Sequence, residues 1–286
     1  MKPLLSIDVE DWFQVENLKQ AISKETWGLN KSRIERNINL ILGLLNERNV
    51  KATFFVLGWI AERYPSLIKL IYDEGHEIGC HGYNHDLLIS LSRDDFYQDV
   101  LKAKNILENI TGERVLGYRA PSFSITDSAI DIINSLGFRY DSSYFPISIH
   151  KRYGKLKNFS IPDNSISEIR ENFFEVMLSY VEQGKLKLPW AGGLYFRVTP
   201  YNIFKSGINN ILAKREYYLF YIHPWEFDPG QPRITNIKLN YRLRHYTNLD
   251  KTEEKFKKLI RDFSFTPIRD IIPHMNKNLI NNSPNI

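Results

Sequence analysis

The stretch Glu77-Ile-Gly-Cys-His81-Gly-Tyr-Asn-His85 places two histidines four residues apart, directly after a short apolar run. Imidazoles at this spacing can meet one cation, and neutral imidazole is the commonest protein ligand for zinc-like metals. Alone the motif is weak, because histidines at i and i+4 are also ordinary neighbours on a helix surface. The preceding run reads as a buried strand, so both histidines leave a strand end. In α/β sheets the C-terminal strand ends are where chemistry is placed.

Four other strand exits carry reactive side chains. Leu4-Leu-Ser-Ile7 runs into Asp8-Val9-Glu10-Asp11, three carboxylates within four residues. Ionised and close, they repel one another unless a cation or an arginine intervenes; a solvated acidic turn is the plainer alternative. Val115-Leu116 leads through Gly117 to Arg119-Ala-Pro-Ser122, Phe138-Arg-Tyr to Asp141, and Leu219-Phe-Tyr-Ile to His223-Pro-Trp-Glu226. A buried structural histidine or a surface ion pair accounts for His223 or Arg119 singly. Five exits of this kind point to one site.

Strands and helices alternate, which sets the fold class as α/β with a parallel sheet, open or closed. Ser32 and Glu35 form a capping-box pattern ahead of a helix carrying Ile34, Ile38, Ile41 and Leu45 on one face. A strand over Lys51 to Leu57 follows, then a helix from Ile60 to Asp73 stopped by Gly75. Ser92 caps a third helix, and Thr126 to Leu136 forms a fourth. Between Pro146 and Pro200 the alternation falters, leaving strand patterns at Phe173–Ser179 and Leu186–Leu188 and a turn at Gly192-Gly193. We expect a single domain over 1–275, with an elaboration at about 146–200 and a C-terminal extension from about 229. That extension contains an amphipathic helix opening at Asp250 to Glu253, and 276–286 reads as a frayed tail.

With 286 residues and 43% hydrophobic content, the chain can bury a sizeable core. The single cysteine, Cys80, excludes an internal disulfide framework and is compatible with a reducing compartment. Beside His81 it reads as a small core residue, not a ligand. Met1-Lys2-Pro3 leads straight into the first strand, and no apolar run approaches the ~18 residues that span a bilayer, so the expected location is cytoplasmic. The net charge of +5 favours anionic partners mildly. Basic residues gather in Arg233 to Arg244 and Lys251 to Arg261. They read first as a solvated face, and second as a surface apposed to the anionic inner membrane leaflet. No P-loop, nucleophile elbow, internal repeat or nucleic-acid motif is present, and nothing sets the oligomeric state.

In this order the motifs resemble those of the polysaccharide deacetylases of carbohydrate esterase family 4. Asp8 to Asp11 stand at the acidic motif, His81-Gly-Tyr-Asn-His85 at H-(S/T)-x-x-H, Arg119-Ala-Pro at R-x-P, Asp141 at the aspartate motif and Ile222-His223 at the closing histidine. Leu188 to Arg197, His223 to Asp228 and Arg269-Asp270 further resemble a bacterial subgroup associated with exopolysaccharide and exosortase loci. The resemblance implies a distorted (β/α) barrel of about seven strands and metal-dependent N-deacetylation of chitin, peptidoglycan or exopolysaccharide. Two departures stand out: Gly82 replaces the usual hydroxyl residue, and Val9 replaces a second aspartate.

Carried onto these positions, His81, His85 and one carboxylate hold a divalent metal. Zinc is expected, and cobalt, nickel or iron(II) suit the same donors. The carboxylate is Glu10 if the strand stays extended past Asp8, or Asp11 if the chain turns after Val9. Asp8 takes a proton from water, oriented by Arg119; His223 protonates the leaving amine, with Asp141 on its other ring nitrogen. The oxyanion lies near a backbone N–H at Ser122. Trp190 and Tyr195 are candidate sugar-stacking groups, Arg197 a candidate contact for an anionic sugar or lipid diphosphate, and Glu226 a third candidate for the carboxylate ligand that reads first as structural. The expected substrate is an N-acetylated hexosamine in a surface polysaccharide or its lipid-linked precursor. The alternatives are hydrolysis of another small amide and a catalytically silent glycan-binding barrel.

Overall fold

In the computed structural model, residues 2–147, 153–159, 161, 166–184 and 186–272 are described; the tail expected at 276–286 lies outside them. The strands are β1 (Lys2–Val9), β2 (Thr53–Val56), β3 (Glu77–Cys80), β4 (Gly117–Tyr118), β5 (Tyr140–Asp141), β6 (Ile166–Arg170), β7 (Phe173–Val176), β8 (Tyr180–Gln183), β9 (Leu186–Pro189) and β10 (Tyr217–Ile222). The helices are α1 (Ile34–Asn46), α2 (Gly58–Arg63), α3 (Pro65–Asp73), α4 (Arg93–Thr111), α5 (Asp127–Ser135), α6 (Gly193–Val198), α7 (Tyr201–Lys214), α8 (Leu239–Tyr246) and α9 (Thr252–Asp262).

One sheet has the order β10-β1-β2-β3-β4-β5-β7-β6. Its first seven strands are parallel and β6 is antiparallel at the edge. The sheet curls into a distorted, incomplete barrel, as the resemblance implied. Both faces are buried, which is why the strands read as near-continuous apolar runs. Leu5, Phe54, Tyr218 and Phe220 pack outward under the helices. Leu4, Phe55, Tyr140, Phe174, Leu219 and Tyr221 fill the interior. The period of two that buries Leu4 also turns Ser6 and Asp8 inward.

Hydrogen bonds do not join β7 to β10 edge to edge; residues 177–179 and 190–192 are laid across the gap. Tyr217 Oη donates to the Met177 carbonyl at 2.9 Å, and Leu219 N to Ser179 Oγ at 2.8 Å. Tyr221 N donates to the Ala191 carbonyl at 2.7 Å. The other end of the barrel is sealed by the chain after α9, where Thr266 bonds Pro3 and Leu5 and Ile268 N donates to Thr53 Oγ1 at 2.8 Å. β7 lies within the stretch that sequence alone reads as elaboration, yet it is a strand of the main sheet.

Two local expectations change. The helix read over Ile60 to Asp73 breaks at Tyr64 (φ −126°, ψ 53°), because the residue before Pro65 is driven out of the helical region. The capping box at Ser32 does not form. Its hydroxyl donates to Asp11 Oδ2 at 2.6 Å, and α1 begins without a side-chain cap.

At the seam, Gly192 has φ +139° and bridges to Tyr221; a Cβ there would lie 1.9 Å from the Tyr221 carbonyl oxygen. Gly192→Ala is expected to lower unfolding stability by about 2–4 kcal/mol in urea titrations. A loss below about 0.5 kcal/mol, the range of neutral surface changes, would mean that the seam carries no constraint.

Candidate active site

Glu10, His81 and His85, all buried, bring three donor atoms within 4.8 Å of one another. His81 Nε2 lies 3.2 Å and His85 Nε2 3.0 Å from the same Glu10 Oε1. His81 Nδ1–H donates to the Arg119 carbonyl at 2.8 Å, so its Nε2 presents a lone pair towards the carboxylate. Two imidazoles and an oxygen this close need positive charge between them, from a proton or a cation. Two histidines and one carboxylate with water-facing room beside them are a donor set that fits a divalent metal. Burial by itself raises the pKa of Glu10, but His85, His223 and His81 outweigh it and hold the group well below the carboxylate range.

The loop between the histidines is fixed from two sides. Asp99 on α4 accepts from Tyr83 N at 2.7 Å and Asn84 N at 3.1 Å. The first N–H groups of α2, from Gly58 and Trp59, donate to the carbonyls of Gly82 and Tyr83. Gly82 sits at φ +72°, and a Cβ would crowd Asp99 Oδ2 at 2.9 Å, which accounts for glycine where a hydroxyl residue is usual. Cys80 is buried, its thiol pushed up to about 12 by burial, and takes no part in the cluster.

Arg119 is fully buried. Its Nη1 donates to Asp8 Oδ1 and Ser6 Oγ, each at 2.7 Å, and its Nε and Nη2 donate to the Ser142 carbonyl and hydroxyl. Asp8 is thus paired and oriented as expected. Its Oδ2 lies 4.0 Å from His223 Nε2, which is also 3.8 Å from Glu10 Oε1. These three groups form the floor of an open cleft of about 590 Å³.

Two expectations about His223 and the acidic turn are corrected. Glu226, not Asp141, holds the second ring nitrogen: its Oε1 accepts from His223 Nδ1 at 2.8 Å and from His223 N at 3.1 Å. Asp141 cannot reach, because Tyr140 takes the inward position on β5 and turns Asp141 to the other face, opposite Glu175. Burial raises both carboxyls, Asp141 to about 6 and Glu175 further as the pair shares the proton. Asp141 instead accepts from Ser143 Oγ at 2.6 Å, and Ser143 accepts from Ala120 N, so it steadies the Arg119 loop. The chain does turn after Val9, with Glu10 N donating to the Asp8 carbonyl at 3.0 Å. Nevertheless Glu10 meets the histidines, while Asp11 turns away to accept from Ser32, Arg33 N and Trp12 N.

The four candidate substrate contacts divide. Ser122 lines the cleft in a left-handed conformation (φ 52°), followed by Phe123 at φ 58°. Arg197 borders the cleft but is 2% exposed, with its donors engaged inside the protein: it donates to Glu226 Oε2 at 2.7 Å and to the carbonyls of Arg244, His245 and Thr247. Trp190 stacks on Phe204 and donates to its carbonyl, away from the cleft. Gly193 and Leu194 line the cleft in place of Tyr195. Its other walls include Tyr153, Tyr221, Trp225 and Arg244. Burial lowers the pKa of His223, but Glu10, Glu226 and Asp8 outweigh it and raise it to about 9. Sequence reading undervalued Glu226, although a usable signal existed. His223-Pro-Trp-Glu226 has capping-box spacing, which places a third-position glutamate on the residue that starts the turn.

Residues 30–140 match the family model described as polysaccharide deacetylase, and residues 142–273 match a domain of unknown function, DUF3473. His81, His85 and Arg119 fall in the first match, Arg197, His223 and Glu226 in the second. Over 90 residues the chain is 38% identical to the peptidoglycan-N-acetylglucosamine deacetylase of Bacillus cereus, covering 32% of this chain and 33% of that protein. Over 109 residues it is 31% identical to the peptidoglycan deacetylase of Helicobacter pylori, covering 38% and 37%. The chain therefore spans little more than a third of the length of these relatives. In fold it is similar to a candidate polysaccharide deacetylase from Mycobacterium smegmatis, with a TM-score of 0.56 at 18% identity over 96% of this chain and 91% of that one.

The geometry separates Glu10 from Asp11 in a metal titration. Glu10→Gln is expected to weaken zinc or cobalt binding by about 10-fold or more, measured by equilibrium dialysis. Asp11→Asn should keep the affinity and lower only stability, since it anchors the start of α1. Equal losses from both would refute this ligand assignment.

Proposed function

With a polysaccharide deacetylase domain in residues 30–140, we propose that this protein is a metal-dependent N-deacetylase of N-acetylated amino sugars. Its substrate would be a surface polysaccharide or a lipid-linked precursor of one. The observation that carries this reading is the convergence of Asp8, Glu10, His81, His85 and His223 at the floor of one cleft. Names of relatives that act on N-acetylglucosamine polymers support the substrate class.

In amide hydrolysis a water oxygen adds to the acetyl carbon, the C–N bond breaks, and the sugar nitrogen gains a proton. Glu10, His81 and His85 would hold a divalent metal, zinc being the best fit, which would supply Lewis-acid polarisation of the carbonyl and lower the pKa of water. Asp8 accepts a proton from the attacking water through Oδ2, since Arg119 occupies Oδ1. Arg119 fixes the carboxylate's direction. His223 delivers the proton to the amine from Nε2, because Glu226 engages Nδ1 and sets the ring's orientation. His223 Nε2 lies 3.8 Å from Glu10 and 4.0 Å from Asp8, so a reacting group seated on the cleft side can meet all three. The rings of Phe123, Tyr153 and Tyr221 line the cleft where a sugar ring would lie.

The test is acetate release from N-acetylhexosamine oligomers and lipid-linked acetamido sugars, with protein stripped of metal and then reloaded with zinc or cobalt. Release is expected only after reloading. Asp8→Asn and His223→Gln should each lower kcat by about 10²–10⁴-fold with metal content unchanged. Glu226→Gln should lower it by about 10-fold or more with KM little altered. Folded, metal-loaded protein that releases no acetate from any of these glycans would overturn the assignment.

A further inference from the structure

The segment after β10 has a character that deacetylation does not explain. From Pro229 to Leu249 it contains no aspartate or glutamate, but does contain Arg233, Lys238, Arg242 and Arg244. On α8, Leu239 and Leu243 lie four residues apart on one face and are 58% and 57% exposed. Arg233, Lys238 and Arg242 flank them in exposed positions. Beside the helix an open groove of about 670 Å³ is lined by Ile234, Leu243 and Tyr246 between Arg233 and Arg242.

The place of this segment matters as much as its composition. It follows the C-terminal end of β10, and α8 packs against residues 16–18 in the loop that follows β1. α8 therefore stands on the rim of the cleft, and its Arg244 lines the cleft itself. Two more exposed apolar residues, Leu29 at 86% and Ile89 at 60%, lie on the loops that follow β1 and β3, at the same end of the barrel.

We propose that this rim docks on an anionic lipid bilayer, through Arg233, Lys238, Arg242, Leu239 and Leu243. Cations without intervening carboxylates complement a negative lipid surface. Leucines between them can enter the headgroup boundary while the arginine and lysine heads stay at phosphate level. A bilayer accommodates apolar residues spread over several loops, which a single small ligand does not. Among the described residues no helix is long and apolar enough to cross a membrane, so this contact is peripheral. Docking in this way turns the cleft towards the bilayer, and would present it with lipid-anchored glycans. That consequence rests on the deacetylase reading; the docking does not.

The test is co-sedimentation of the full chain with phosphatidylcholine vesicles, with and without phosphatidylglycerol, at about 50 and about 300 mM salt. Binding is expected with phosphatidylglycerol only, and weaker at the higher salt. Arg233→Glu with Arg242→Glu should lower the partition coefficient by more than about 10-fold, given about 5-fold per neutralised cation. Leu239→Ser with Leu243→Ser should lower it several-fold, with an unchanged thermal midpoint in both pairs. No binding to phosphatidylglycerol vesicles, or wild-type binding by both variants, overturns the proposal. So does a lipid-free dimer or a complex with an acidic protein that either pair abolishes. None of these readings uses acetate release, so the docking can fail while the deacetylase assignment stands, and the reverse.

Discussion

A fully buried arginine organises this molecule. Arg119 leaves β4, crosses the inside of the barrel and pairs with Asp8 at the end of β1, with further bonds to Ser6 and Ser142. Its own carbonyl accepts a hydrogen bond from His81 Nδ1–H and so aims Nε2 at Glu10. The Phe55 ring lies 4.2 Å from the guanidinium. One residue therefore orients Asp8 and sets the tautomer of His81, and ties β1, β3, β4 and the exit of β5 together. A buried charge of this kind is costly when unpaired: removing one partner of such a pair typically costs about 3–5 kcal/mol. The core and the chemistry are consequently coupled, and neither can be altered at Asp8 without the other.

The second half of the chain completes the site from the far side. Arg197 holds one oxygen of Glu226, and Glu226 holds His223 with the other. The same guanidinium takes three carbonyls at the end of α8 and beyond. Trp225 stacks between His223 and His245, which burial lowers to about 3 and so keeps neutral. The histidine is therefore held by residues of the DUF3473 match, while the metal-type histidines belong to the polysaccharide deacetylase match. The two matched stretches share one sheet, meeting at β5 and β7 and again through β1, which lies outside both and joins β10 to β2, and they share one cleft.

Sequence alone made the α/β alternation, the parallel sheet and five reactive strand exits legible. It could do so because these are local properties: apolar runs of strand length, helical spacing, and side chains that must leave a buried strand at its end. The pairing of Arg119 with Asp8 and the convergence of His81 and His85 both followed from motif and resemblance. What failed was any inference that depended on the face of a two-residue strand or on competition between partners. Asp141 follows the pattern of a histidine partner, but Tyr140 occupies the inward face and Glu175 stands opposite. Arg197 has the charge for an anionic ligand, but Glu226 and backbone carbonyls already consume its donors. Asp11 lies in the acidic motif, yet the hydroxyl expected to cap α1 captures it.

What the sequence determined by itself was which chemistry could occur, because residue types and their strand-end positions limit that. Tertiary structure alone decided which carboxylate serves which partner. That choice is made by distances across strands far apart in the chain, such as Glu10 to His85 and Arg197 to Glu226, and by burial, which penalises every charge left without its counterpart.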